Sequence, residues 1–80
     1  MTNTKLLADK IKQSGMKKGV LANRLGVSRA TFYALTHGRA EFRASQIRTL
    51  CDLLGITDAE TLNAIFFDRG VALKATEEEV

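Results

Sequence analysis

Residues 17–38 read KKGVLANRLGVSRATFYALTHG, and this stretch predicts two short helices joined by a tight turn. Gly26 permits the left-handed backbone that such a turn needs, and Ala22 is small where the two helices must cross closely. Val27 is expected to fill the core beneath the turn. Apolar residues at helical spacing then hold the helices at a fixed angle; they are Leu21, Leu25, Phe32 and Leu35.

This pattern leaves an outer face at the start of the second of these two helices. Ser28 offers a side-chain oxygen to the free N–H groups there and is the predicted N-cap. A helix can be laid into the roughly 12 Å wide major groove of DNA. We therefore expect the residues of this face to contact bases; they are Ser28, Arg29, Ala30, Thr31 and Tyr33.

Apolar spacing outside the opening stretch predicts three further helices, which gives an all-α fold of five helices. The first helix is expected over about residues 3–14, followed by the second over about 17–24, while the third ends near His37-Gly38. The fourth helix ends at Gly55 and has the clearest buried face, formed by Ile47, Leu50, Cys51 and Leu54.

The fifth helix is predicted from a capping box and an apolar stripe. Thr57 stands three residues before Glu60, and the stripe follows as Leu62, Ile65 and Phe66. Between the third and fourth helices, residues 38–43 are expected to form a loop anchored by Phe42. The sequence thus predicts a DNA-binding domain over residues 1–68. The short C-terminal tail at 69–80 is expected to be partly extended and dimer-associated, then disordered.

Length and composition exclude several classes of protein. Eighty residues suffice for one small domain and exclude a two-domain enzyme. The chain is 45% hydrophobic and 26% charged and has no proline, which is typical of a folded protein. The single cysteine, Cys51, cannot form an intramolecular disulfide or a thiolate cluster for zinc, so we expect a fold stabilised by packing alone and a cytoplasmic location.

Motifs of catalysis and of cofactor binding are missing from the sequence. It has one histidine, no cluster at metal-ligand spacing, no G-x-x-x-x-G-K-[ST] and no G-x-S-x-G. We therefore expect no enzyme activity, no cofactor, no metal and no small-molecule ligand. Its longest apolar runs are three or four residues, far below the roughly 20 that span a bilayer, so no membrane association is expected either.

Charge is divided unevenly along the chain. Residues 1–50 hold ten Lys/Arg against two Asp/Glu, and residues 51–80 hold two against seven, which gives +8 followed by −5. The formal net charge of +3 hides this division. A division of this kind indicates a basic face for an anionic partner, with the acidic segment held away from it.

Residues spread over about 5–67 match a known pattern. They are Leu21-Ala22, the run LGVSRATF at 25–32, Leu35, Gly38, Ile47, Leu50, Leu53-Leu54-Gly55 and Ile65-Phe66-Phe67. In these residues the chain resembles the helix-turn-helix regulators of the lambda-repressor/Cro type, also called the Xre family. It looks most like the small single-domain members found in phages and other mobile elements.

The resemblance implies roles for individual positions in the helix-turn-helix. Lys17 and Lys18 stand where the family usually opens its second helix with Thr-Gln, so we expect them to contact phosphate while the helix loses its usual cap. Arg29 and Ala30 align with the two residues that most often read base edges, and Tyr33 occupies an outward position one turn on. An arginine can bond O6 and N7 of guanine together, which makes Arg29 the expected specificity residue.

The resemblance also assigns the segment after the third helix. His37, Arg39 and Arg43 surround the loop with which family members touch the sugar-phosphate backbone. Arg43 stands where a capping Ser or Thr is common, so the fourth helix lacks its usual cap. We expect affinity from these residues and the two lysines, and no sequence discrimination.

Adjacent aromatic residues at the end of the fifth helix cannot both face one core. If Phe66 completes the interior, Phe67 is left near the surface with Val71 and Leu73, an apolar patch larger than a monomer usually exposes. The C-terminal segment either folds back over this patch or forms a homodimer interface, and we expect the homodimer. Twofold symmetry would place two recognition helices about 34–36 Å apart on a palindromic operator.

The expected function is that of a sequence-specific transcriptional regulator, a phage-like repressor that blocks promoter access on double-stranded DNA. Two alternatives stay open. The first is an antitoxin or accessory DNA-binding subunit whose acidic tail occupies a protein partner. The second is a helical protein–protein adaptor that has kept the fold and lost DNA binding.

Overall fold

The computed structural model describes residues 1–68, and these form five α-helices with no strand. The helices are α1 (Thr4–Ser14), α2 (Lys18–Leu25), α3 (Arg29–Thr36), α4 (Ala44–Leu54) and α5 (Ala59–Phe66). The predicted all-α, five-helix fold is therefore confirmed. The tail expected at 69–80 lies outside the described residues.

The core draws one fully buried side chain from each of four helices: Leu7, Leu21, Leu50 and Ile65. Phe32 adds the contribution of α3 and is 3% exposed. Full burial of a side chain of this size contributes roughly 1.5–3 kcal/mol, so these five account for much of the stability. Cys51 belongs to the same cluster, as expected of a core residue. Burial, with a smaller contribution from the Asp52 carboxylate, raises the pKa of its thiol.

The turn between α2 and α3 has the predicted construction. Gly26 has a φ of 74° and donates its N–H to the Asn23 carbonyl at 3.0 Å, and the Val27 N–H reaches the Ala22 carbonyl at 3.1 Å. Ala22 is buried and Val27 packs half-buried against the core. The connection runs from Gly26 to Ser28.

The two ends of the described chain are joined by backbone hydrogen bonds. The Asn3 N–H donates to the Ile65 carbonyl at 2.6 Å, and the Asp68 N–H donates to the Met1 carbonyl at 2.9 Å. Phe42 packs edge-on against Phe66 with a ring-centroid distance of 5.3 Å, which anchors the loop after α3 as predicted. These contacts hold α5 against the start of α1.

The predicted capping box of α5 is wrong by one residue. Asp58, and not Thr57, is the N-cap: its Oδ2 accepts from the Thr61 N–H at 2.8 Å and from the Thr61 hydroxyl at 2.6 Å. Because the helix begins one residue later, Thr61 and not Glu60 occupies the third position. A carboxylate satisfies these donors well, since the positive end of the helix dipole favours negative charge.

We expect Asp58→Ala to lower the stability of the domain and Thr57→Ala to leave it nearly unchanged, as measured by urea unfolding. The hydrogen bonds from Thr61 lower the pKa of Asp58 from 3.8. The charged cap therefore stabilises the folded domain at pH values above the ordinary pKa of Asp58. This stabilisation is lost as the pH falls through the lowered pKa that Asp58 has in the folded domain. Asp58→Asn keeps the cap and should remove this part of the acid dependence. Equal losses for both alanine variants would contradict the assignment.

Candidate nucleic-acid interface

The outer face of α3 is exposed at all five positions predicted to contact bases: Ser28, Arg29, Ala30, Thr31 and Tyr33. Ser28 is the N-cap, as expected, and its Oγ accepts from the Thr31 N–H at 3.1 Å. The Ser28 hydroxyl also donates to Thr31 Oγ1 at 3.0 Å. The Thr31 hydroxyl proton is not used within this pair, so Thr31 can donate it to a partner outside the domain.

Tyr33, His37 and Arg39 form a cluster on the exposed side of α3. The Tyr33 and His37 rings stack at a centroid distance of 3.8 Å and an interplanar angle of 23°, and the Arg39 Cζ lies 5.7 Å from the Tyr33 centroid. His37 Nδ1 lies 2.9 Å from the Tyr33 carbonyl oxygen, which can only accept, so this nitrogen carries the proton. The structure thus places one predicted base-contact residue together with two predicted phosphate-contact residues.

The start of α2 carries positive charge and has no side-chain cap. Lys17 is the N-cap with extended backbone, and its carbonyl accepts from the N–H groups of Val20 and Leu21, both at 3.0 Å. The N–H groups of Lys18 and Gly19 have no hydrogen-bond acceptor within residues 1–68. Free N–H groups at a helix start favour a bound anion, and the lysines add charge of the required sign.

Arg43 begins α4 in the same uncapped manner, as the sequence predicted. The Gln46 side chain partly replaces the missing cap, since its Oε1 accepts from the Arg43 N–H at 2.8 Å. Arg43 is exposed at the end of the loop that Arg39 begins. Both predicted phosphate-contact arginines are therefore accessible.

A cleft of about 1100 Å³ lies between α1, the start of α2 and α3. Its apolar lining includes Ile11, Met16 and Phe32. Polar and charged residues also line it, among them Lys5, Lys12, Lys17, Lys18, Arg29, Tyr33 and His37. The cleft thus brings together predicted base-contact and phosphate-contact residues.

Lys5 and Lys12 of α1 are not among the contact residues predicted from the sequence. In the structure both lie beside the cleft, on the same side of the molecule as Arg29 and Tyr33. Their spacing of seven residues, two helical turns, was the available signal that they share a face. That this face borders α3 follows only from the packing of α1.

An exposed helix held by a glycine turn against a preceding helix is the arrangement of a helix-turn-helix. A family model described as a helix-turn-helix domain matches residues 12–64, which span more than half of the chain. The chain belongs to the helix-turn-helix domain family. Comparisons with curated proteins and with solved structures gave no match.

Helix-turn-helix domains are associated with DNA binding, and members of this family are typically not enzymes. The described part of the chain holds no group of three or more His, Cys, Asp or Glu placed to bind a metal ion. Nor is any helix within residues 1–68 long and apolar enough to cross a membrane.

We expect Lys17→Ser to raise the free energy of unfolding by about 1 kcal/mol, because it supplies a capping hydroxyl and removes a cation from the positive end of a helix dipole. Urea unfolding measures this change. Arg48→Gln is the matched control, since it removes one exposed positive charge from the middle of α4. That variant should stay within about 0.5 kcal/mol of the original chain. If the free energy of unfolding of Lys17→Ser is unchanged or lower, the conclusion that α2 lacks a side-chain cap is contradicted.

Proposed function

We propose that this helix-turn-helix domain is a sequence-specific transcriptional regulator of the Cro/Xre type, and that it acts as a repressor on double-stranded DNA. One observation carries the proposal: the exposed start of α3 lies beside an uncapped, lysine-bearing start of α2. A face built in this way suits a helix lying in the major groove with phosphates at its edge. The proposed origin is a phage or another mobile element. The proposed location is the cytoplasm, which fits a chain with a single, unpaired cysteine.

Base readout is assigned to the first turns of α3. Arg29 is exposed and its guanidinium group makes no hydrogen bond within the described residues, so its side-chain N–H groups are available for guanine O6 and N7. Tyr33 is 50% exposed with its ring held by His37, so it presents a fixed apolar and hydroxyl surface. Thr31 adds one free hydroxyl proton, while Ser28 mainly caps the helix and Ala30 offers a small apolar surface.

Phosphate contact is assigned to cations on both sides of α3. Lys17 and Lys18 flank the free N–H groups of α2, and Arg39 and Arg43 are exposed in the segment that follows α3. His37 joins them, since it is exposed and its ring is held in place by the carbonyl and the ring of Tyr33. Contacts of this type give affinity that falls steeply with salt.

We expect Arg29→Ala to reduce discrimination between the best operator and a single-base-pair variant by about 5–150-fold, which is the loss of roughly 1–3 kcal/mol from a bidentate base contact. The combined Lys17→Gln and Lys18→Gln variant should weaken binding to all sequences alike. It should also reduce the slope of log affinity against log salt by about 1.8. Selection from a random duplex pool supplies the operator, and fluorescence anisotropy at several salt concentrations measures both quantities.

Arg48→Ala is the control for both DNA-binding variants, because it removes an exposed positive charge on α4. It should leave discrimination unchanged. No binding of the original chain to random duplex DNA at low salt would reject the nucleic-acid function and favour a protein–protein adaptor. Full DNA binding with a tightly co-purifying small basic protein would instead favour an antitoxin or accessory subunit.

A homodimer is the proposed assembly, formed through the end of α5 and the segment that follows it. Phe66 is buried while its neighbour Phe67 is 55% exposed, as the sequence predicted. Val71 and Leu73, the other predicted interface residues, lie outside the described residues. The same assembly divides the chain into a DNA-binding domain at 1–68 and a dimer-associated tail at 69–80, and it fits a palindromic operator.

We expect Phe67→Glu to shift the protein from dimer to monomer in sedimentation-velocity experiments, because a charge replaces an exposed apolar contact. Operator affinity should fall by more than tenfold, while binding to an isolated half-site is kept. Ala59→Glu is the control, since it adds the same charge to an exposed position at the other end of α5. A monomeric original chain at micromolar concentration, or an unchanged Phe67→Glu dimer, would reject this interface.

A further inference from the structure

Gly19, in the first turn of α2, lies directly beneath the guanidinium group of Arg29. A Cβ atom placed on Gly19 would lie 2.8 Å from Arg29 Nη2, 3.4 Å from Cζ and 3.5 Å from Nε. Real Cβ atoms essentially never approach another heavy atom as closely as 2.8 Å. A side chain at position 19 would therefore make the guanidinium group, the flexible end of the exposed Arg29 side chain, move away from α2.

The backbone gives no reason for glycine at this position. Gly15, Gly26, Gly38 and Gly55 have positive φ angles, whereas Gly19 has the ordinary backbone of a helix. Alanine is strongly favoured over glycine inside a helix, so α2 forgoes stability by having no side chain there. The space that the missing side chain leaves is the space that Arg29 occupies.

Gly19 and Arg29 lie together at the boundary between two surface depressions. Arg29 and Gly19 line both the large cleft beside α1 and a second depression of about 370 Å³. The second depression is further lined by Val20, Asn23 and Arg24. Arg29 thus lies across α2 as the wall between them, with no hydrogen bond or ion pair of its own within residues 1–68. Its guanidinium group lies against the bare backbone of α2 at Gly19.

We propose that Gly19 is a positioning residue for sequence discrimination, because its missing side chain lets Arg29 lie against α2 and so sets the direction in which the guanidinium group meets a base edge. This inference rests on the proposed base readout by Arg29. A bidentate contact needs the planar guanidinium group within about 0.5 Å and 10–20° of the productive geometry. A methyl group at position 19 displaces Nη2 by at least about that distance, since ordinary contact begins near 3.4 Å.

The test compares Gly19→Ala, Gly19→Ser and Arg29→Ala, singly and in combination, on the selected operator and on its single-base-pair variants. Gly19→Ala should raise the Tm by a few degrees and reduce discrimination by about tenfold, while affinity for random duplex DNA is kept. Gly19→Ser adds the same Cβ with a poorer helix former. It should lose the same discrimination without the gain in Tm, which separates specificity from stability.

The Arg29→Ala background shows whether the effect acts through the arginine. In that background, Gly19→Ala should cause no further loss of discrimination. An equal loss of affinity for operator and random DNA would overturn the proposal, because it would mean that the methyl group blocks approach of the phosphate backbone to α2. Unchanged discrimination in Gly19→Ala with a loss in Arg29→Ala would also overturn it. If Arg29→Ala itself leaves discrimination unchanged, the proposed base readout fails instead.

Discussion

The burial of Phe32 is the interaction on which the presentation of α3 depends. Its ring is 3% exposed and shares one core with Leu21 of α2 and Leu50 of α4. Once Phe32 and Leu35 are fixed inward, helical geometry turns Ala30 and Tyr33 outward and leaves Arg29 at the edge of the buried side, next to α2. The Gly26 turn fixes the direction from which α2 approaches. The orientation of α3 is therefore a consequence of core packing. Buried residues determine which side chains of α3 are exposed on its outer face.

Helix electrostatics differ between the interface and the rest of the domain. At the interface, α2 begins with Lys17 and Lys18 and α3 begins with Arg29, so cations stand at helix ends that favour anions. Away from it, α5 begins with Asp58 and Glu60, the favourable arrangement. The division of charge along the sequence is thus also a division between helices whose starts carry basic residues and a helix whose start carries acidic ones.

Much of this structure could be predicted from the sequence, because apolar spacing and glycine positions report on local geometry. Five helices, the buried Cys51 and the Gly26 turn follow from such patterns. The capping residue of α5 was misplaced because adjacent Thr57 and Asp58 are both good caps, and only the helix start distinguishes them. The contact between the Arg29 side chain and Gly19 could not be predicted, since it depends on how closely α2 and α3 approach each other. For the same reason, nothing in the sequence placed Lys5 beside α3.

The hydrogen bonds that join Asn3 to Ile65 and Asp68 to Met1 close the fold from end to end. They connect residues more than sixty positions apart, so forming them requires closure of almost the whole described chain. The α2–α3–α4 unit is built from nearer neighbours and does not need this closure to form its turn. Even so, Ile65 and Phe66 of α5 belong to the same core cluster as Leu21 and Phe32 of the helix-turn-helix. Detaching α5 would open that shared core, so we expect the joined ends and the helix-turn-helix to unfold as one cooperative unit.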